Sequence, residues 1–515
     1  MKIPRRFKKI ALLAWALFSV SAKAYTPDVG CTHRNHDVEP PVLNIEEEFL
    51  PSTVGRNLAT ITYPQMRIQA DYTNLKQGTT EFKNYVQKEL MPAVIDYFQA
   101  AMKIKVPVTG SLKFSTSTKT VCGYTTPSVL YSGVKTDYFL VVSSTSDSDS
   151  NWVASAGACY LASSTMRPIL GSMLFNLYYT KAANGDPLIH EKNMYLTMHE
   201  MLHALGFAGS SFKNFIDGNG KTLTGHLKSV VLDGSTRTVL DVEPLTTKLR
   251  NHYGCSTLPG AFLENDGGSG TAGSHFERRH FLYEAMTSGV IQGLRLSEFS
   301  LAVMEGSGWY LPDYSYADQF LVGQGAGCGF LYTSCSSKDI YNYNDFCETS
   351  GQRGCGIVGN AGGVCSSDSR SDGCQYYIPV LQYHCENPDA TAYARFASLE
   401  SYGRTVDSKC FNGDFTTSTR TPSPSSYCFR YKCIGSGLST TLRVYLGNGY
   451  FTCKSESTLR ISGYNGNFQC PDPLTFCSTV GKQECPRNCM GRGTCVDNQC
   501  VCNSGYTGLD CAMNE

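Results

Sequence analysis

The sequence has no charge of one sign in excess: Lys+Arg and Asp+Glu each total 44 in 515 residues. A balanced chain carries no electrostatic footprint for nucleic acid and none for an acidic substrate. Long hydrophobic runs are scarce too. The apolar stretch Ile10 to Val20 is short for a bilayer span. It follows Lys2, Arg5, Arg6, Lys8 and Lys9 and precedes Ala22-Lys23-Ala24, an order that predicts a secretory signal peptide over 1–24 rather than an anchor. No transmembrane segment is expected in the mature chain. The end, Cys511-Ala512-Met513-Asn514-Glu515, lacks the apolar tail of a glycolipid-anchor signal. No Asn-x-Ser/Thr acceptor occurs, so N-glycosylation is not expected. These absences predict a secreted, extracellular or vesicle-stored protein without nucleic-acid partners.

Cysteine is what the chain has in quantity, with 23 residues, which points to an oxidising compartment and a disulfide framework. The chemistry is concentrated elsewhere, in Met198-His199-Glu200-Met201-Leu202-His203-Ala204-Leu205-Gly206-Phe207. Residues four apart share a helix face, so His199 and His203 can aim two imidazoles at one ion. Glu200 stands beside them, placed to take a proton from metal-bound water. Met194, Met198, Met201, Leu202 and Leu205 recur at helical spacing and predict a buried face, and Gly206 lets the helix stop. Two histidines so spaced also occur as ordinary residues of an apolar helix, so the context decides.

Ahead of that helix, residues 25–55 are polar and aperiodic and read as a propeptide. Its Cys31 is a candidate latency ligand for the open metal position, or an ordinary disulfide partner. Setting Cys31 aside leaves an even 22 cysteines for pairing. The span 56–207 predicts strands at Met66–Asp71, Leu112–Ser115 and Tyr138–Val142, with an amphipathic helix from Phe82 to Ala101 kinked or divided at Pro92. Cys122 and Cys159 are placed to bridge. Residues 208–265 form an inserted segment. Residues 266–325 hold a glycine-dense run ending in His275, then Met286, then a helix from Ser297 to Gly308. Thirteen cysteines between Cys328 and Cys477 predict a stapled, irregular or β domain over 326–480, of connectivity that spacing does not reveal. The whole is α+β.

The short metzincin pattern places a third histidine at a position occupied here by Gly209. The sequence instead resembles leishmanolysins, metzincins in which an insertion separates the helix from the third ligand. The resemblance rests on HEMLHALGF at 199–207, GGSGTAGSH at 267–275, EAMT at 284–287 and GACYLASSTMRPILG at 157–171. It implies a metzincin-type protease domain with one Zn2+ per chain, held by His199, His203 and His275. Glu200 would be the catalytic carboxylate and Met286 the Met-turn residue. His226, His252 and His280 are the rival third ligands. Three imidazoles with an open position suit zinc better than other metals. Family propeptides carry a His-x-Cys-x-His-Asp type motif, whereas Asn35 stands here where that cysteine would fall.

The tail, Cys485-x3-Cys489-x5-Cys495-x4-Cys500-x-Cys502-x8-Cys511, resembles an EGF-like module over 485–511. That likeness implies pairs of Cys485 with Cys495, Cys489 with Cys500 and Cys502 with Cys511. No acidic calcium signature precedes Cys485. The combined reading is a secreted zinc endopeptidase acting on protein or peptide substrates. The alternative is an adhesion or matrix-binding protein, in which the EGF-like module meets an extracellular or cell-surface partner. The resemblance to leishmanolysins also implies that residues 157–177 are the substrate-edge region. If Cys31 confers latency, Cys31→Ala secreted from cells will be active without processing; unchanged latency in a zymogen-activation assay removes that role.

Overall fold

A computed structural model describes residues 39–515 apart from 49, 51–61, 150–151, 233, 269–270, 290–292, 369, 386–399, 401–407, 418–419, 447–448, 482–484, 497–498 and 509. The expected signal peptide and Cys31 lie outside the described residues, as does most of the expected propeptide. A five-stranded sheet forms from β1 (Val42–Leu43), β2 (Ile68–Asn74), β3 (Tyr138–Thr145), β4 (Ala154–Ala162) and β5 (Pro168–Asn176). Its spatial order is β1-β4-β5-β3-β2. β2, β3 and β5 run parallel, and β4 turns back antiparallel beside β5.

The central strand β3 reads Tyr-Phe-Leu-Val-Val, a run with no polar face, because both faces are covered. Alternation sends Tyr138, Leu140 and Val142 into the main core and Phe139 and Val141 into a second cluster on the opposite side. Each such side chain, fully withdrawn from water, contributes roughly 1.5–3 kcal/mol. That second cluster takes in Leu112, Phe114 and Val121, and the Cys122–Cys159 disulfide ties it to β4. Leu112 makes an isolated bridge to Val134 instead of the strand its alternation predicts.

Helices α1 (Thr80–Tyr85) and α2 (Met91–Ala101) cover the main face. They are joined by a π turn, Val86–Leu90, rather than divided. Pro92 has no N–H to offer the carbonyl of Lys88, and the chain widens its turn there. The Lys88 carbonyl accepts instead from Asn514 Nδ2 at 2.9 Å. Helix α3 (Pro187–Leu205) carries the HExxH stretch. Asp186 caps it by accepting from the N–H groups of Leu188 and Ile189, and Gly206 ends it at φ 121°. Every residue from Asn193 to Leu205 is buried, so α3 is an internal helix rather than one with a single apolar face.

The insertion adds a hairpin of Leu227–Leu232 with Ser235–Leu240, then α4 (Leu245–Tyr253). Further along comes α5 (Glu298–Gly306), capped by Ser297. Tyr310–Pro312 returns to pair with Met102–Ile104 at the end of α2. Beyond Cys328 the described residues are mainly β, with short helical turns such as Pro473–Ser478: a three-stranded sheet, then a six-stranded antiparallel sheet around Phe411, Tyr427, Phe429 and Phe468. Eleven disulfides use every described cysteine, including Cys485–Cys495, Cys489–Cys500 and Cys502–Cys511 in the tail. No helix among the described residues is long and apolar enough to cross a membrane.

Both ends of the described chain are built into the region of the five-stranded sheet and its helices. β1 lies parallel to β4, with Leu161 N donating to Pro41 O and Ser163 N to Leu43 O. Glu47 and Arg167 form an ion pair at 2.8 Å with both side chains buried. Ser164 and Thr165 also donate to that carboxylate, at 2.6 and 2.7 Å. In the tail, Arg487 lies over the Tyr195 ring of α3 at 4.9 Å and pairs with Asp510 and Asp318. Arg492 pairs with Asp96 of α2 at 2.9 Å. Removing one partner of a buried ion pair costs more than the pair contributes, because the remaining charge has no water to turn to. Glu47→Ala is therefore expected to lose about 3–5 kcal/mol in urea unfolding with disulfides intact; a loss under about 1 kcal/mol would refute the burial argument.

Candidate metal centre

Helix α3 sets His199 and His203 one turn apart, with ring centroids 4.5 Å from each other. His275 arrives from a separate loop. Thr271 and Ala272 donate to Gly268 O, and Gly273 takes φ 75°, a conformation that reverses the chain into Ser274 and His275. Glu264 holds both ends of that loop. Its N–H donates to His275 O at 2.9 Å, and its carbonyl accepts from Gly273 N at 2.8 Å. Its buried carboxylate accepts from the N–H groups of Asn265 and Asp266 and from Ser288 Oγ.

Each ring is oriented by the nitrogen that faces away from the centre. Nδ1 of His199 bonds Ala285 O at 2.6 Å, Nδ1 of His203 bonds Phe207 O at 2.5 Å, and Nδ1 of His275 bonds Thr271 O at 2.9 Å. A carbonyl only accepts, so all three Nδ1 atoms carry the proton and all three Nε2 atoms present lone pairs. Those Nε2 atoms lie 2.9, 3.2 and 3.3 Å apart. Three acceptors this close repel one another unless a cation lies among them. Nitrogens about 2.0–2.1 Å from one tetrahedral ion would be roughly 3.3 Å apart, so the triad fits a divalent metal. Burial pushes His199 down to about 4, which keeps it a neutral ligand at physiological pH.

Glu200 follows His199 directly and is fully buried. Met286 is also fully buried, and its carbonyl accepts from the N–H of Phe276, next to His275. The structure thus brings His199, His203, Glu200, His275 and Met286 into one neighbourhood. The rival histidines are engaged elsewhere: Nε2 of His226, His252 and His280 meets Phe212 O, Val322 O and Leu331 O at 2.8, 2.8 and 3.0 Å. A second close group of potential ligands, Cys485, Cys489 and Cys500, consists of disulfide sulfurs and is no metal site. Sequence reasoning missed the two buried carboxylates, Glu264 and Glu284, that hold the loops of this site. Glu284 stands within the quoted EAMT string, so its position, though not its role, was in view.

A family model described as Leishmanolysin matches residues 76–378, more than half of the chain. A tenascin EGF domain model matches residues 484–512. The ciliated left-right organizer metallopeptidase of Mus musculus is 30% identical over 352 residues, covering 62% of this chain and 47% of that protein. The leishmanolysin-like peptidase of Caenorhabditis elegans is 24% identical over 599 residues, covering 97% and 87%. Leishmanolysin of Leishmania major is 24% identical over 435 residues, covering 78% and 69%. The chain therefore spans about half the length of the mouse relative and most of the nematode one.

The geometry separates the histidines experimentally. His275→Ala is expected to abolish stoichiometric metal in the purified protein, while His280→Ala keeps it, as read by mass spectrometry under native conditions. Equal metal in both variants would place the third donor elsewhere.

Proposed function

The chain belongs to the leishmanolysin family of metallopeptidases, and from that premise we propose that it is a zinc endopeptidase acting on proteins or peptides outside the cytosol. The observation that carries this reading is the convergence of three neutral Nε2 lone pairs beside a buried carboxylate. His199, His203 and His275 would hold zinc, a three-imidazole set that leaves a position open for chemistry. When bound, zinc supplies the Lewis acidity that makes water a nucleophile near neutral pH and polarises the scissile carbonyl.

The remaining work falls to this chain's own groups. Glu200 takes the proton of the attacking water and passes it to the departing amine nitrogen, the step that makes the amine a leaving group. Burial of Glu200 keeps bulk water from competing for that proton. Met286, the Met-turn residue in this reading, follows Ala285, whose carbonyl positions His199. Among the described residues β1 pairs only with Leu161 and Ala162 of β4. The rest of that outer edge, within the 157–177 region, would receive an extended peptide as an added strand, with backbone bonds supplying affinity. The disulfide framework supports a secreted or vesicular setting.

The adhesive alternative rests on the EGF-like module. Arg487 and Arg492 of that module are committed to Tyr195, Asp318 and Asp96 of the protease region. This favours a bracing role for the module over that of a free adhesive arm. Glu200→Gln is expected to bind one zinc per chain and lose casein cleavage by about 10²–10⁴-fold. Chelation should abolish wild-type cleavage, and zinc should restore it. A Glu200→Gln protein that cleaves like wild type would refute the mechanism.

A further inference from the structure

The turn beneath the triad is held by a carboxylate that the peptidase chemistry does not use. Glu284 is fully buried. One of its oxygens, Oε1, accepts from Ser297 N at 3.1 Å, Ser297 Oγ at 2.8 Å and Ser300 Oγ at 2.6 Å. All three donors belong to the first turn of α5 and its cap. The other oxygen, Oε2, accepts from the backbone N–H of Met286. One side chain therefore joins a rigid helix to a turn of irregular backbone.

That turn reaches two of the three histidine stems. Ala285 O receives Nδ1–H of His199 at 2.6 Å, and Met286 O receives Phe276 N–H at 2.9 Å, next to His275. Ala285 N in turn donates to Arg295 O at 2.7 Å. A carboxylate is a costly choice for packing alone, since burial raises its pKa to about 7. Four donors converge on it, however, and only an acceptor with two free oxygens satisfies them all. A glutamine would turn an N–H2 towards one of them.

We propose that Glu284 is a positioning residue of the metal centre: by clamping the Ala285–Met286 turn to α5 it fixes the His199 ring with Nε2 aimed at the ion and keeps the His275 stem in register. The inference rests on the reading of His199, His203 and His275 as zinc ligands. Partners of metal-bound histidines typically change affinity by about 10–100-fold when lost.

The test compares Glu284→Gln with Asp137→Asn, which alters a buried carboxylate bound to Arg67 and Val108 and to no group of the metal centre. Zinc affinity is measured by competition with a chromophoric chelator, ligand geometry by the visible spectrum of the Co(II)-loaded protein, and stability by thermal unfolding of the metal-free protein. Glu284→Gln should weaken zinc binding about 10–100-fold and shift the Co(II) bands. Asp137→Asn should lower the unfolding temperature while leaving zinc affinity and spectrum as in wild type. Glu284→Asp, which keeps the charge but withdraws from Met286 N–H, should weaken zinc in the same direction and serves if the glutamine variant does not fold. Wild-type zinc affinity in any folded Glu284 variant, or equal loss in Asp137→Asn, overturns the proposal. His199→Ala is the separate control: if it retains full zinc, the ligand reading fails rather than the role of Glu284.

Discussion

Three backbone carbonyls, at Phe207, Ala285 and Thr271, each take the Nδ1 proton of one imidazole, and the rest of the molecule is arranged around that demand. Once those protons are fixed, three lone pairs must face inward, and an arrangement of acceptors alone is unfavourable until a cation joins it. The carbonyls belong to three distant stretches of chain: the end of α3, the turn before Met286 and the glycine loop before His275. The fold's task is to hold those stretches still relative to one another. The internal helix α3, the Glu264 clasp and the capped helix α5 each contribute one fixed point.

How much of this could be read from residues alone varied with how local the signal was. The pair His199 and His203 with Glu200 is visible because helical periodicity brings i and i+4 together. His275 is 72 residues beyond His203, and no periodicity reaches that far; only likeness to a family singled it out. The sheet centre at Tyr138–Thr145 was legible from an unbroken apolar run, whereas Leu112–Ser115 alternates like a strand yet spends its hydrogen bonds on Val134 and Leu130. Buried carboxylates are the hardest case. Glu47, Glu264 and Glu284 look like surface residues in a linear string, because their partners Arg167, Ser288, Ser297 and Ser300 come from other segments. Pro92 predicts a kink or a division of its helix, and its missing donor is accommodated by one wide turn without dividing it.

The disulfide-rich half is more than an appendage. Cys255–Cys328 joins the expected insertion to the segment that follows the histidine triad, and the tail returns to the N-terminal helices through Asn514 and Arg492 and to Tyr195 and Asp318 through Arg487. Tyr195 is shared: its hydroxyl donates to Asp318 while its ring face receives Arg487. The upstream half of α3 is thus braced by the last module, and the downstream half bears the imidazoles.

The pairing of Pro41–Leu43 with Leu161 and Ser163 gives the outer sheet border a closed end. A guest backbone lying antiparallel along β4 would have its N-terminal side at that end, where the donors are already taken. Such a guest must peel away from the sheet before it reaches Leu161. In the proposed endopeptidase that border would act like a slot with a stop for as long as Pro41–Leu43, which lie in the expected propeptide, stay in place.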